Sequence, residues 1–479
     1  MASALTTIAP DIGRQPAGSI PAHAGFEFAP GIPGNAWPAI PDANTARIAA
    51  VLQQLDRSQW WPRERIEAMQ LRQLALAAGH AIRHVPAYRE RLSPIAERIA
   101  STPSAQDWDR VPLLTRAQIQ ASTDRLRAAS MPESHLPIGQ MKTSGSTGIP
   151  LLVLTTAVTR LLWDAFAMRE HLWHRRDFRA KLGVIRFLRD KEQRGPSGFR
   201  ADSWGAPARR LLATGPLCAL HIENDVRVQL DWLDRERPDI LLTYPSNAVE
   251  LARQAARDGR ELPPLRELRL FSEVVDQATR AFLREAFGAV VTDTYSANEI
   301  GYVALQCAEH GRYHVQAENV RVEVLDDEGL PCEPGQTGRV VLSTLHNLAM
   351  PLLRYENGDH AEVGEPCPCG RGLPVLARIL GRTRNMLTLP DGTRHWPIIG
   401  FASFRRVAPV IQHQVVQHSL DDIEVRLVVE RPITPDEQAQ LAERVHRTLG
   451  HPFRLRFSYV DAIERSPIGK YEEFKSLIA

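Results

Sequence analysis

The chain has 479 residues, 43% hydrophobic and 24% charged, a composition typical of globular proteins with several domains. Its 58 Lys and Arg residues against 56 Asp and Glu residues leave a net charge of +2, so we expect no nucleic-acid partner and no anionic membrane. No run approaches the roughly 20 apolar residues of a membrane span, the five cysteines are too few for a disulfide framework, and the N-terminus lacks a secretory pattern. We therefore expect a cytoplasmic protein without membrane insertion.

The first half of the chain changes from an irregular lead-in to helices and then to an alternating pattern. Residues 1–42 are rich in Pro, Gly and Ala, which predicts a flexible segment. From about 45 to 130, runs such as TARIAAVLQQL space apolar residues for helices. Beyond 140, strand-like runs such as KLGVIRFL and PDILLTY alternate with helical runs, and SNAVELARQAARDG is typical of a helix with Ser246 as its N-cap and a terminal glycine. The alternation predicts β-α-β units with right-handed crossovers.

The second half is richer in strands. Residues 319–345 contain two β-rich runs around a turn cluster, which indicates an antiparallel hairpin or a small barrel. In the last hundred residues, DIEVRLVVE, TPDEQAQLAERVHRTLG and FRLRFSYV predict strand, helix and strand. We therefore predict an α/β protein. Its large domain spans 43–382, with a helical N-terminal part and a β-rich subdomain, and a small, mobile α+β C-terminal domain spans 383–479.

Several loops carry residue types that suit nucleotide chemistry. KTSGSTGIP, residues 142–150, has the glycines and hydroxyls of an anion-binding loop, but it is also compatible with a plain turn, and Ile149 stands where a Walker loop needs lysine. In DTYSANE, Tyr295 could stack on a purine and Glu299 could hold Mg²⁺. Asp359, which ends RYENGD, suits ribose hydroxyls, and Lys470 lies in ERSPIGKYEEF near the C-terminus.

The order of these loops resembles the adenylate-forming superfamily of acyl-CoA synthetases, aryl ligases and adenylation domains. VPAYRERL, VPLLTRAQIQ, PDILLTYPS and CPCGRGLPVLARILGRTRNML resemble signatures of its phenylacetate–CoA ligase and coenzyme F390 synthetase branch. The likeness extends from about residue 80 to the C-terminus. It implies ATP and Mg²⁺ as cofactors and places the β- and γ-phosphates on a loop formed by Thr143, Ser144, Gly145, Ser146, Thr147 and Gly148.

The resemblance also implies a role for each of the remaining motif residues. Tyr295 matches the adenine-stacking aromatic residue, Glu299 the Mg²⁺-associated carboxylate and Asp359 the ribose-binding aspartate. The other matches are an arginine after that aspartate, a hinge residue and the lysine that bridges the carboxylate and the α-phosphate, namely Arg382, Arg384 and Lys470. Positions beside the acyl site are matched by Tyr244, Ser246, Glu273 and Ser296.

The implied activity is that of an AMP-forming ligase acting on an aryl or arylacetic acid. The acyl group would pass from acyl-AMP to a thiol, either that of CoA or that of phosphopantetheine on an acyl carrier protein. The departures from the family pattern keep open a second hypothesis, a non-catalytic scaffold that binds nucleotide or a partner; they are Ile149, Asn298, Arg384 and Asn385. A homodimer is compatible with the resemblance.

Four residues form a candidate metal site. Cys307-x₂-His310 and Cys367-x-Cys369 make a Cys₃His set, which suits a closed tetrahedral Zn²⁺ site of structural type. Some members of the resembling branch carry zinc here, while the alternative is a group of small buried residues or free thiols. Three other histidines are interpreted as packed or solvated, or as lining the acyl pocket: His221, His314 and His346.

Overall fold

The structure is a computed structural model. It describes residues 28–35, 37–101, 103–142, 151–382, 386–395, 397, 404, 407–463 and 473–478. In chain order, helices α1 to α12 of this part are Ala43–Ser58, Arg63–His84, Pro86–Arg91, Ala96–Ser101, Ala105–Asp109, Arg116–Ala121, Ala157–Trp173, Ala208–Leu211, Val226–Glu236, Pro245–Arg257, Gln277–Phe287 and Pro435–Leu449.

The strands of the described part, β1 to β21 in chain order, are Leu114–Thr115, Gly139–Lys142, Leu152–Thr155, Leu182–Arg186, Phe199–Ala201, Leu217–His221, Ile240–Thr243, Glu267–Phe271, Val290–Ala297, Gly301–Gln306, Tyr313–Val315, Val320–Leu325, Thr337–Thr344, Tyr355–Val363, Val375–Arg382, Leu387–Thr388, Arg394–His395, Val410–Gln417, Asp422–Val429, Arg454–Tyr459 and Phe474–Ser476.

The apolar spacing correctly predicts helices here: α1 packs on α7 and strands of the parallel sheet, whereas α2 packs on the β-rich part. Asp42 caps α1 by accepting the backbone N–H groups of Asn44 and Thr45. From α2, the Gln70 side chain donates to the backbone oxygen of Ala317 at 2.7 Å and to that of Val320 at 3.0 Å. These long-range hydrogen bonds tie the helical segment to the sheet.

One half of the main sheet is parallel and built from β-α-β units. Strands β6, β4, β7, β8 and β9 are adjacent and parallel, and α9, α10 and α11 connect them. Asp225 and Asp276 cap the first turns of α9 and α11, and α11 ends at Gly288 with φ 59°, a conformation that glycine adopts without a Cβ clash. The predicted α/β alternation is confirmed.

The other half of the main sheet is antiparallel. Beyond β9 the order is β10, β11, β15, β14, β13 and β12, and β1 adds a parallel pair to β14. The register pairs Val320 with Thr344 and Leu325 with Arg339, so residues 319–345 form the predicted antiparallel hairpin. The result is one continuous sheet in which a parallel half is joined to a β-rich half.

The C-terminal unit has its own small sheet and core. Its strands are ordered β20, β19, β18 and β21, and α12 carries a capping box from Thr434 and Glu437. Leu441 and Val445 of α12 pack with Leu427 of β19 in a separate apolar cluster. The predicted strand, helix and strand are β19, α12 and β20. No helix in the described part of the chain combines the length and apolar character that crossing a bilayer requires.

Candidate active site

Three of the predicted site residues lie at the ends of neighbouring parallel strands. Tyr244 directly follows β7, Glu273 lies two residues after β8, and Tyr295 lies near the end of β9. The carboxyl ends of these strands meet at one edge of the sheet, because the strands are adjacent and parallel. Ligands of open α/β sheets bind at this edge. The fold therefore gathers these residues where a small-molecule site is expected.

A buried hydrogen-bond cluster lies where β9 faces β14 and β15. The Tyr295 hydroxyl donates to Asp359 Oδ2 at 2.7 Å, and the Asn357 amide donates to the same oxygen at 2.6 Å. Across the strand pair, Arg382 Nε lies 3.4 Å from Asp359 Oδ1. Asp359 and Arg382 are direct partners in the β14–β15 register, which fixes this contact in the backbone. The structure thus joins Tyr295, Asp359 and Arg382, while Asn357 was not predicted.

The surroundings of Tyr295 and Arg382 raise the pKa of both side chains. Burial raises the pKa of the Tyr295 hydroxyl well above its usual range, and the Asp359 carboxylate raises it further, so the phenol remains a proton donor. Burial opposes the charge on Arg382, but Asp359 and Glu299 outweigh it, and the arginine pKa is raised. The site therefore keeps a neutral phenol and a charged guanidinium next to Asp359.

Glu299 belongs to a second contact, which brings in an arginine that the motif analysis missed. The Tyr355 hydroxyl donates to Glu299 Oε1 at 3.3 Å. Arg116 in turn hydrogen-bonds the Tyr355 hydroxyl and lowers its pKa, against the larger effect of burial, which raises it. Arg116 reaches this position because it follows β1, whose Leu114 pairs with Tyr355 of β14. A cation therefore lies close to the carboxylate predicted to hold Mg²⁺.

The predicted capping role of Ser246 is wrong. Helix α10 begins one residue earlier, at Pro245, with Tyr244 as its N-cap, because proline has no N–H to lose in the first turn. Ser246 instead donates its backbone N–H to Glu273 Oε2 at 2.9 Å and its hydroxyl to Oε1 at 3.1 Å. Glu273 thus crosses from the end of β8 to supply the acceptor at the helix N-terminus.

Aromatic side chains pack together where three neighbouring strands end. The rings of Tyr244 and Phe271 lie 4.6 Å apart between centroids. The Tyr244 hydroxyl accepts the backbone N–H of Phe187, which follows β4, at 3.5 Å. Ser296, by contrast, is exposed on β9. These contacts link the ends of β4, β7 and β8 through Tyr244, which is also the N-cap of α10.

Some predicted residues cannot be placed. The strands that flank the candidate phosphate loop pair in antiparallel register, Lys142 with Leu152 and Gly139 with Thr155. The loop itself, the hinge position and the C-terminal lysine lie outside the described residues: Thr143, Ser144, Gly145, Ser146, Thr147, Gly148, Arg384 and Lys470.

The candidate metal site forms, but with a different histidine. The ligand atoms of Cys307, Cys367, Cys369 and His314 all lie within 4.8 Å of one another. His314 is fully buried on β11, and its Nε2 lies 3.3 Å from Cys369 Sγ. The predicted ligand His310 is replaced, since its side chain is 38% exposed and its Nε2 lies 4.0 Å from Glu309 Oε2.

The turn after β10 explains the replacement. In this turn the backbone N–H of His310 points at the sulfur of Cys307, while the His310 side chain faces outward. Such bonds stabilise the thiolate form that binds metal. The three sulfurs accept backbone N–H groups from Glu309 and His310 at Cys307, from Cys369 at Cys367, and from Arg371 at Cys369. The donor set therefore fits a closed Zn²⁺ site.

The chain is similar in sequence to a known family model and to known enzymes. A family model described as the CapK C-terminal domain matches residues 401–476. The phenylacetate-coenzyme A ligase of Thermus thermophilus is 27% identical over 411 residues, which cover 80% of this chain and 88% of that protein. The resemblance drawn from the motifs is confirmed. This chain is similar to the phenylacetate-coenzyme A ligases over most of its length.

Solved structures share the fold. A 2-hydroxyisobutyryl-CoA ligase in its postadenylation state, bound to 2-HIB-AMP, has a TM-score of 0.68 at 19% identity, over 88% of this chain and 91% of that one. The same ligase with 2-HIB-AMP and CoA in its thioesterification state has a TM-score of 0.56 at 20% identity, with the same coverage. The likeness covers the large body and the C-terminal unit, so the α/β fold with its added domain is that of adenylate-forming ligases.

Proposed function

We propose that the protein is an ATP-dependent, AMP-forming acid–thiol ligase that acts on an aromatic carboxylic acid. In the first half-reaction, a carboxylate oxygen attacks the α-phosphorus of ATP, and acyl-AMP forms as pyrophosphate leaves. In the second, a thiol attacks the acyl carbon, and AMP leaves. The observation that carries the proposal is the joining of Tyr295, Asp359 and Arg382 at the carboxyl edge of the sheet, with Glu299 close by.

Asp359 is the residue proposed to orient the nucleoside. Its carboxylate is already held by the Tyr295 hydroxyl, the Asn357 amide and Arg382, so its position is fixed before ATP arrives. A fixed carboxylate accepts hydrogen bonds from ribose hydroxyls at a low cost in conformational entropy. We further propose that this orientation aligns the α-phosphate with the incoming acid.

Replacing Asp359 with asparagine is expected to raise KM for ATP about 10- to 100-fold, because the hydrogen bonds of a charged acceptor are worth about 1.5–3 kcal/mol. Steady-state kinetics of acid-dependent AMP formation measures the change. Asp421→Asn, at an exposed turn of the C-terminal unit, is the control and should leave KM unchanged. An unaltered KM in Asp359→Asn would remove the assigned role.

Positive charge near the phosphates is proposed to come partly from Arg116. Glu299 would hold Mg²⁺, which would neutralise phosphate charge when bound. The loop lacks a lysine at Ile149, so a cation from another element is needed to attract the phosphates. Arg116 is in place for this, because its guanidinium reaches the Tyr355 hydroxyl that contacts Glu299.

Replacing Arg116 with methionine is expected to raise KM for ATP about 10-fold or more and to weaken the response to Mg²⁺, since a charged donor beside the phosphates is lost. Titration of the exchange rate with ATP at several Mg²⁺ concentrations measures both effects. Arg125→Met is the control, because Arg125 pairs with Glu90 in an exposed ion pair of the same helical segment. Equal kinetics in the two variants would rule out the role of Arg116.

The substrate class is inferred from the side chains at the acyl side. Phe187 and Phe271 are partly buried and pack with the buried Tyr244, and their remaining aromatic surface is proposed to receive a planar ring with an offset or edge contact. Ser246 and Glu273 are proposed to lie beside the acid because they match acyl-site positions of the family. The acceptor is proposed to be CoA or the phosphopantetheine of a carrier protein, and the relatives named phenylacetate-coenzyme A ligase favour CoA.

Exchange of labelled pyrophosphate into ATP tests the proposed activity. With a panel of aromatic acids, we expect exchange that depends on the acid and on Mg²⁺, and no exchange with the acids omitted. The accepted acid is then offered CoA or a carrier protein, and thioester formation identifies the acceptor. ATP binding without exchange for any acid would favour the alternative function, a nucleotide-binding scaffold.

We also propose that Cys307, Cys367, Cys369 and His314 hold a structural Zn²⁺. Their ligand atoms lie within 4.8 Å of one another, and the protein fills all four positions, which leaves none for a reacting group. Cys307 and His314 belong to the β10–β11 hairpin, whereas the other two ligands lie between β14 and β15. A metal here would connect these two parts of the sheet.

A further inference from the structure

The C-terminal unit lies against the second half of α10. Arg257, in the last turn of that helix, has its Nη1 atom 3.8 Å from Oε1 of Glu430, which directly follows β19. This nitrogen is buried and has no hydrogen-bond acceptor among the described residues. Glu430 is therefore the anion of the C-terminal unit that faces it.

A second arginine of the same helix faces the unit one turn earlier. The charge of Arg253 acts on the fully buried His413 of β18 and on Glu473, directly before β21. Arg253 and Arg257 thus lie on one side of α10, at the spacing that brings helix residues onto a common face. This side of α10 therefore carries two positive charges toward the C-terminal unit.

The helix that makes these contacts also belongs to the acyl site. Its first turn carries Ser246, which is held by Glu273 at the carboxyl edge of the main sheet. One rigid element of 13 residues therefore connects the candidate site to the surface on which the C-terminal unit rests. The described arrangement also fits the postadenylation state of a solved ligase better than its thioesterification state, with TM-scores of 0.68 and 0.56.

We propose that Glu430 is a positioning residue, which with Arg257 holds the C-terminal unit in the arrangement that serves adenylation. This inference rests on the proposed function. Glu430 contacts α10 through Arg257, and we propose that it acts through the placement of the whole unit. If the ion pair forms in the adenylation arrangement only, it favours that arrangement by the free energy of the pair.

Charge reversal tests the proposal. In Glu430→Lys we expect pyrophosphate exchange to fall about 3- to 10-fold, because an attractive pair becomes a repulsive one. Thioester formation from supplied acyl-AMP should keep its rate or increase. The control is Glu443→Lys, since Glu443 pairs with Arg447 of its own helix and both side chains are about 70% exposed. Assays at pH 8 keep Glu473 ionised, because burial raises its pKa to about 7.

A measurement without substrates separates this proposal from the proposed function. By small-angle X-ray scattering, Glu430→Lys should be more expanded than the unaltered protein, and Glu443→Lys should match it. Equal loss of both half-reactions in Glu430→Lys, or unchanged scattering, would overturn the positioning role. Absence of exchange in the unaltered protein would contradict the proposed ligase function instead. The scattering comparison would still test whether Glu430 holds the C-terminal unit against α10.

Discussion

Lys470→Ala is expected to slow acid-dependent exchange of pyrophosphate into ATP about 10²- to 10³-fold while ATP binding is retained. Two anions approach each other in this step, and one well-placed cation contributes on the order of 3–4 kcal/mol to the transition state. Lys470 itself lies outside the described residues, so its role is proposed from the motif ERSPIGKYEEF alone.

The control for Lys470 is another lysine of the same unit. Lys475→Ala, on β21, changes the net charge equally and should leave exchange unaltered. Transfer of the acyl group from supplied acyl-AMP to the thiol should also survive in Lys470→Ala, because the lysine is proposed to act in the first half-reaction only. Isothermal titration with ATP verifies that the nucleotide still binds. Normal exchange in Lys470→Ala would contradict the mechanism.

The elements of the fold were predictable because their patterns are local. The period of apolar residues distinguishes the helices α9, α10 and α11 from the strands between them, and the rule of right-handed crossovers then orders a parallel sheet. The same holds for β19, α12 and β20. The ends of the elements were harder to predict from local sequence. Ser246 has the side chain of an N-cap, but the helix begins one residue earlier, at Pro245.

The missed site residues depend on contacts between distant segments. Arg116 reaches Tyr355 because β1 pairs with β14, a short parallel pair with no distinctive sequence pattern. Asn357 matters because its amide faces Tyr295 across the sheet. Sequence spacing favoured His310 as a metal ligand, since Cys-x₂-His is a common ligand pair, but the turn uses the backbone of His310 and the strand β11 supplies His314 instead.

His314→Ala is expected to lose the metal and much of the stability that it provides. Zinc binding to a closed Cys₃His set contributes directly to the folding free energy, because the unfolded chain has no preformed site. Loss of one ligand should lower the free energy of unfolding by about 3 kcal/mol or more and lower Tm by about 3 °C or more. Elemental analysis of chelator-washed protein measures zinc per chain, and calorimetry measures Tm.

His310→Ala is the matched control, since it removes a histidine four residues away but keeps the backbone N–H that Cys307 accepts. This variant should bind about one zinc per chain and have the same Tm as the unaltered protein. Cys332→Ser adds a second control, because Cys332 lies outside the cluster on the turn after β12. If His310→Ala loses zinc and His314→Ala keeps it, His310 is the ligand. If the unaltered protein holds no zinc, the metal site is excluded.

Cys369→Ser should behave like His314→Ala, because both remove an atom from the same 3.3 Å contact.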